Sequence, residues 1–291
     1  MKKILGDGDM MIKKWAITGD CHSDFSRFRF YSKEVQKDPE VGIIILGDAG
    51  LNIHKIETEN DRHLKNYLSK SYKFSFYCVH GNHELRPQEV EGMHLVYDEN
   101  VHGEVYVQDK WPTIKYFKDW GIYIIGDYKC AVIGGAYSVD KNFRLVHGWP
   151  WFESEQLTNK EMIDCIKDFT NQQVDFVFTH TCPICWEPTD LFMHGIDQSK
   201  VDKSMELFLE ELAQYFDWKI WCFGHYHKDR YERPAVIQFY KGAQYLDDIY
   251  ESYISGVEDY WRPKSPNYFM DDPIRQKGRE ELYALKDETT I

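Results

Sequence analysis

Long apolar runs are missing from this 291-residue sequence. No stretch offers the roughly 20 consecutive apolar residues that cross a bilayer. The opening MKKILGDGDM also lacks the apolar core of a secretory leader. Cationic residues are scarce: 35 Lys and Arg stand against 48 Asp and Glu, for a formal charge of −13. Binding a phosphate backbone needs clustered Lys and Arg, so this balance argues against a nucleic-acid partner. The seven cysteines are odd in number and scattered, which fits reduced, buried thiols in a cytoplasmic protein better than a disulfide framework. Cys182 and Cys185 form one CPIC pair, with no second pair to complete a zinc cage. Internal repeats and low-complexity linkers are absent as well.

What is present is enough for a folded core, with 43% hydrophobic and 16% aromatic residues. Apolar β-type runs occur at Trp15–Thr18, Val41–Leu46, Phe74–Val79, Ile122–Ile125, Cys130–Ile133, Asp175–Thr179 and Lys219–Phe223. Most are unbroken rather than alternating, the mark of strands buried on both faces. Helical spacing covers 24–36, 58–70, 158–170 and 199–216. The last three open on Thr-x-x-Asp, Thr-x-x-Glu and Ser-x-x-Asp capping patterns. The two apolar runs around Gly126-Asp127 predict a hairpin. The order predicts a mixed α/β protein with partly antiparallel sheet. A catalytic domain over 1–250 and a C-terminal extension over 251–291, where the chain turns polar and tyrosine-rich, complete this division. Met10-Met11 precede IKKWAIT, a first strand, and the residues before them read equally as an upstream extension or as a remnant foreign to the chain.

Five short clusters share one context, each following an apolar β-run. They are Gly19-Asp20-Cys21-His22, Gly47-Asp48, His80-Gly81-Asn82-His83-Glu84, His180 and Gly224-His225-Tyr226-His227. The carboxyl ends of neighbouring strands share one sheet edge, where α/β folds gather their ligands. Two carboxylates, an amide oxygen and several imidazoles suit Mn, Fe, Zn or Ni and do not choose among them. Taken singly each cluster is ordinary: Asp48 is a turn residue, His180 a core histidine. Their weight comes from all five occurring in order, each after a strand.

Together GDCH, GDAG, GNHE, TH and GHYH resemble the five signature blocks of the calcineurin-like metallophosphoesterases, over residues from about Ile12 to His227. The resemblance implies a two-sheet mixed β-sandwich flanked by α-helices, in four αββα layers, with two metal ions at the sheet edge. It implies that Asp20, His22 and His227 bind one metal, that Asn82, His180 and His225 bind the other, and that Asp48 bridges both. It implies His83 as a catalytic general acid outside the metal shell. Two cations about 3.5–4 Å apart would then acidify a bridging water that attacks phosphorus in line. The implied substrate is a phosphorylated small molecule, a nucleotide or a phosphoprotein, with a nuclease as the alternative and a non-catalytic scaffold behind both.

The GNHE block resembles that of the protein serine/threonine phosphatases, which carry an Asp-Arg pair soon after the second block. Here Leu51 and Asn52 stand at those places, so a residue that would orient His83 and one phosphate-binding arginine are missing. Arg86 is a candidate substitute as a phosphate clamp, weighed evenly against a surface charge before Pro87. The run Gly134-Gly135-Ala136-Tyr137 with Asp140 and Arg144 reads as a tight structural loop ahead of a cleft lining. Trp149, Trp151, Trp186 and Phe192 read as core ahead of a base-stacking rim. Asp190 and His194 are weak substrate contacts, and His54, His63, His94, His102 and His147 match no block.

Overall fold

A computed structural model describes residues 11–233 and 235–255. Residues 1–10 and nearly all of the expected extension lie outside that range. Two sheets are stacked face to face. The first contains β1 (Lys14–Thr18), β2 (Val41–Ile45), β3 (Ser75–Cys78), β4 (His94–Asp98), β5 (Gly103–Val107), β6 (Ile114–Phe117) and β13 (Ala243–Tyr245), in spatial order β13-β1-β2-β3-β6-β5-β4. The second contains β7 (Trp120–Ile125), β8 (Tyr128–Ile133), β9 (Gln173–Thr179), β10 (Asp217–Phe223), β11 (Arg230–Arg233) and β12 (Val236–Gln238), in order β11-β12-β10-β9-β8-β7. Each has a parallel centre, β1-β2-β3-β6 in one and β12-β10-β9-β8 in the other, with antiparallel strands at its margins.

Alternation along these strands builds three apolar layers. Ile44, Leu46, Tyr77 and Val79 point inward and meet Val132, Phe176, Phe178, Ile220 and Cys222 of the second sheet. Ile43, Ile45, Phe76 and Cys78 point outward against Phe25, Phe28 and Leu68. On the far side Ala131, Ile133, Val177 and Trp221 pack against Met162, Ile166, Phe208 and Leu209. Leu68 belongs to α2 (Glu59–Ser71), and the far-side residues to α4 (Asn159–Phe169) and α5 (Ser204–Leu212), the helices being numbered in chain order with α1 at Lys33–Gln36, α3 at Lys141–His147 and α6 at Leu246–Ser255. This is the expected mixed α/β sandwich between helical layers, with strands buried on both faces as their unbroken apolar runs required. The Gly126-Asp127 hairpin forms as read, Ile125 pairing with Tyr128.

Several expectations change. The helix expected over 24–36 is two short pieces, a 3-10 turn over Ser26–Phe30 and then α1. Tyr31 is extended between them, and Ser32 caps α1 by accepting Val35 N–H. The helix expected from Ser199 starts later: Asp197 ties Ser199 into a separate turn, and Asp202 accepts Ser204 N–H where α5 begins. The capping boxes of α2 and α4 at Thr58 and Thr158 form as read. The division near residue 251 falls inside α6, whose Leu246 and Ile249 join the core between the sheets. β13 pairs with β1, so the folded body continues to at least Ser255.

Candidate metal centre

All five clusters lie just beyond the carboxyl ends of central parallel strands. Asp20 and His22 follow β1, Asp48 follows β2, and Asn82 and His83 follow β3. From the second sheet His180 follows β9, and His225 and His227 follow β10. The sandwich brings these two edges together. The Gly47 and Gly81 positions are where it is tightest: a Cβ there would stand 2.1 Å from His180 Nδ1 and 2.1 Å from Asp48 Oδ1. Only glycine permits that approach.

The ligand atoms converge. Those of Asp20, His22 and His227, and those of Asp20, Asp48 and His180, each form a group within 4.8 Å. Asp48 Oδ2 reaches both groups, 3.7 Å from His22 Nε2 and 3.5 Å from His180 Nε2. The Nε2 atoms of His22 and His227 face each other at 2.8 Å. Asn82 Oδ1 lies 2.8 Å from His180 Nε2 and 3.1 Å from His225 Nδ1. All seven residues named from sequence are therefore assembled in one place.

Backbone and side-chain partners fix their aim. Leu46 O holds His180 Nδ1 at 2.7 Å, turning Nε2 to the centre. Asp20 Oδ1 accepts His225 N–H and Asp48 Oδ1 accepts His83 N–H, which leaves the other carboxylate oxygens, Asp20 Oδ2 and Asp48 Oδ2, buried with no hydrogen-bond donor. Two fully buried carboxylate oxygens without donors are costly unless a cation meets them. The donor set also suits borderline divalent ions. The residues thus fit the metals the family resemblance implies.

Electrostatics point the same way. Burial would raise the Asp20 carboxyl, but the His22 and His227 imidazoles 3.7 and 3.3 Å from its Oδ2 outweigh it and hold it far below its usual range. Asp48 is likewise held well below, with His180 and His83 overcoming burial. Burial would lower His180, yet Asp48 pushes it up to about 9. His225, buried and beside His180, is pushed down to about 3. The centre holds its acids ionised and draws positive charge toward them.

Backbone strain collects here. Among the described residues seven non-glycine residues have positive φ, and five of them are at this centre: His22 (47°), Ser23 (65°), Asp48 (48°), His225 (68°) and His227 (53°). Such conformations persist where the surroundings over-determine them.

A supporting shell was not apparent from sequence. Ser138 Oγ accepts Asn82 Nδ2–H at 2.9 Å, and Ser138 donates to Glu155 through both its N–H and its hydroxyl. Glu84, the last residue of GNHE, accepts Ala49 and Gly50 N–H and so braces the loop after β2. Burial and the nearby Asp48 push its carboxyl up to about 7. The Gly134-Gly135 run after β8 was the available signal for Ser138, since it marks a close backbone approach, here to His80.

The second-rank candidates separate. Arg86 does not line the cavity beside the centre. Its guanidinium is committed to Glu161, Asp119 and the carbonyls of Ser154 and Gln156. The expected phosphate clamp is thus a buried pillar joining the loop after β3 to α4. Leu51 is in the core, and Asn52 accepts from Lys65. Arg144, read first as part of a structural loop, does line the cavity, its Nη2 3.3 Å from His83 Nε2. That cavity is about 480 Å³ and runs from the centre to Phe192, Met193 and Lys203. Trp186 packs on Trp218 and Trp221, while Trp149 is exposed near Phe143. Asp190 pairs with Arg230, and His194 is exposed and does not line the cavity. His54 meets Asp61 and His94 meets Asp109; His63, His102 and His147 are exposed. All seven cysteines are free thiols. Among the described residues no helix is long and apolar enough to cross a membrane.

A sandwich with an acid-and-imidazole centre at the carboxyl edge of its parallel strands is an architecture that could hold metal ions. The family profile described as calcineurin-like phosphoesterase matches residues 13–229, and the chain belongs to that family. No curated protein matches it.

Proposed function

We propose that this protein is a dinuclear metal-dependent phosphoesterase that hydrolyses a phosphomonoester or phosphodiester at the centre described above. The observation that carries the reading is the pair of buried carboxylate oxygens, Asp20 Oδ2 and Asp48 Oδ2, aimed without donors into a ring of imidazoles. Asp20, His22 and His227 would hold one ion and Asn82, His180 and His225 another, with Asp48 between them. Bound ions supply an acidified water and positive charge for the phosphoryl oxygens. Mn, Fe, Zn and Ni all match the donor set.

The chain's own residues supply the rest. His83 lines the cavity with Nε2 4.0 Å from Asp48 Oδ2, and the role we assign it is to hand a proton to the leaving oxygen. Asp48 Oδ1 accepts the His83 backbone N–H at 2.8 Å and so holds the loop that carries it. The cavity supports a small phosphorylated molecule or a nucleotide ahead of a phosphoprotein. The net charge of −13 weighs against a nuclease. The free, mostly buried thiols support a cytoplasmic setting.

The test is turnover of p-nitrophenyl phosphate and bis-p-nitrophenyl phosphate by protein loaded with Mn, Zn, Fe or Ni, alongside elemental analysis. Metal-dependent hydrolysis of either substrate at two bound ions per chain is expected. Loaded protein that cleaves neither would overturn the proposal.

A further inference from the structure

Arg144 belongs to none of the five clusters. It is carried by α3, a segment between β8 and α4 with no buried residue of its own, so core packing does not explain this helix. Its Phe143, Leu145 and Val146 face outward, about half exposed or more. What the helix directs inward is one braced guanidinium. Arg144 Nε donates to both oxygens of Asp140, at 2.9 and 2.8 Å, and Nη1 donates to Pro150 O at 3.1 Å. Nη2 is left beside His83 Nε2 and the cavity. Lys203, the other lysine or arginine lining that cavity, is 2.6 Å from Glu187 and lies over the Phe192 ring.

We infer that Arg144, braced by Asp140, binds a terminal phosphoryl oxygen and makes the enzyme favour phosphomonoesters over phosphodiesters. This rests on the phosphoesterase reading. A phosphomonoester presents three non-bridging oxygens and up to two charges. A diester presents two such oxygens and one charge. With two oxygens turned to the metal centre in either substrate, the third position decides. In a monoester it is an anionic oxygen, which a guanidinium meets with short charge-assisted hydrogen bonds. In a diester it is an esterified oxygen carrying a substituent, which offers the cation little and crowds it. Asp140, which also lines the cavity, is a positioning residue: both its oxygens accept from Arg144 Nε and hold the fork in place.

The experiment compares wild type, Arg144→Ala, Arg144→Lys and Asp140→Asn with the two nitrophenyl substrates, and measures inorganic phosphate binding by calorimetry. Arg144→Ala should lower kcat/KM for the monoester by between about 10- and 100-fold, lower it less for the diester, and weaken phosphate binding by a similar factor. Arg144→Lys should recover part of the loss, because it keeps charge but not the fork. Asp140→Asn should raise KM for the monoester more than it lowers kcat. Equal losses for both esters, or unchanged phosphate binding, would overturn the inference. So would a wild type that cleaves only the diester, although the phosphoesterase reading would then stand. If wild type cleaves neither ester, that reading fails, and phosphate binding alone decides for Arg144.

Discussion

The two sheets contribute differently to the centre. The first supplies both carboxylates and the amide, Asp20, Asp48 and Asn82, together with His22 and His83. The second supplies imidazoles alone, His180, His225 and His227. Neither edge is a site by itself: the first would hold two carboxylates against each other, and the second has no anion to attract a cation. Links across the gap join them, His180 Nδ1 to Leu46 O and His225 N–H to Asp20 Oδ1. Charge comes from one sheet, and softer nitrogen donors with geometric closure come from the other.

That contrast can be broken at its anionic side first. Asp48→Asn removes the charge that reaches both ligand groups. Loss of an outer-shell partner typically costs 10–100-fold, so if Asp48 is the ligand proposed above its loss should cost on the order of 10³-fold in activity, with fewer ions per chain by elemental analysis. His225→Asn, which removes a neutral donor, should cost less. If it costs as much or more, the division of labour is wrong. His83→Ala should lower kcat by at least about 10²-fold while metal content stays at the wild-type level. A fall in metal content would make His83 a ligand instead.

A third test separates holding the fold from holding the site. Arg86→Ala takes the guanidinium from Asp119 and Glu161, leaving them Gln88 and Thr158, and should destabilise the protein by about 3 kcal/mol in urea unfolding, with kcat per folded molecule kept. The smallest effect concerns Glu206 on α5, behind the second sheet's edge. Burial and nearby Glu187 push its carboxyl up to about 7. Between its ordinary value and about 7 the folded protein holds a proton that the unfolded chain has released. Stability from this group is therefore lost as pH rises through that window. Glu206→Gln should flatten the slope, by an amount on the order of 1 kcal/mol, in unfolding measured from pH 5 to 8. An unchanged slope would remove Glu206 as its source.

The centre was legible because its residues sit at the ends of unbroken apolar strands, and such strands put their carboxyl ends on one edge. Asp20, Asp48 and His180 were ordinary singly; the order of all five clusters after such strands, and its resemblance to the family's signature blocks, marked them. β4, β5 and β6 were missed because they mix polar residues such as His94, Glu104 and Lys115 into the run, β4 and β5 being only half buried. Arg86 misled because position along the chain does not reveal which carboxylates a guanidinium will meet; Asp119 and Glu161 lie 33 and 75 residues away. Glu155 was invisible for the same reason, and Ser138 had only the Gly134-Gly135 run to signal it. Ser199 had the right cap residue in the wrong place, because Asp197 accepts its N–H to close a separate turn while Asp202 accepts Ser204 N–H where α5 begins.

The left-handed backbone at His22, Ser23, Asp48, His225 and His227 has a consequence for the life of the protein. Each such residue costs about 1–2 kcal/mol, and that energy is subtracted from a margin that is small in any domain. Ions that bind only these strained turns favour the folded chain by mass action. Metal supply would then govern abundance as well as rate. In a metal-starved cell the chain should open more often and be cleared by proteases, so its level would fall along with its activity.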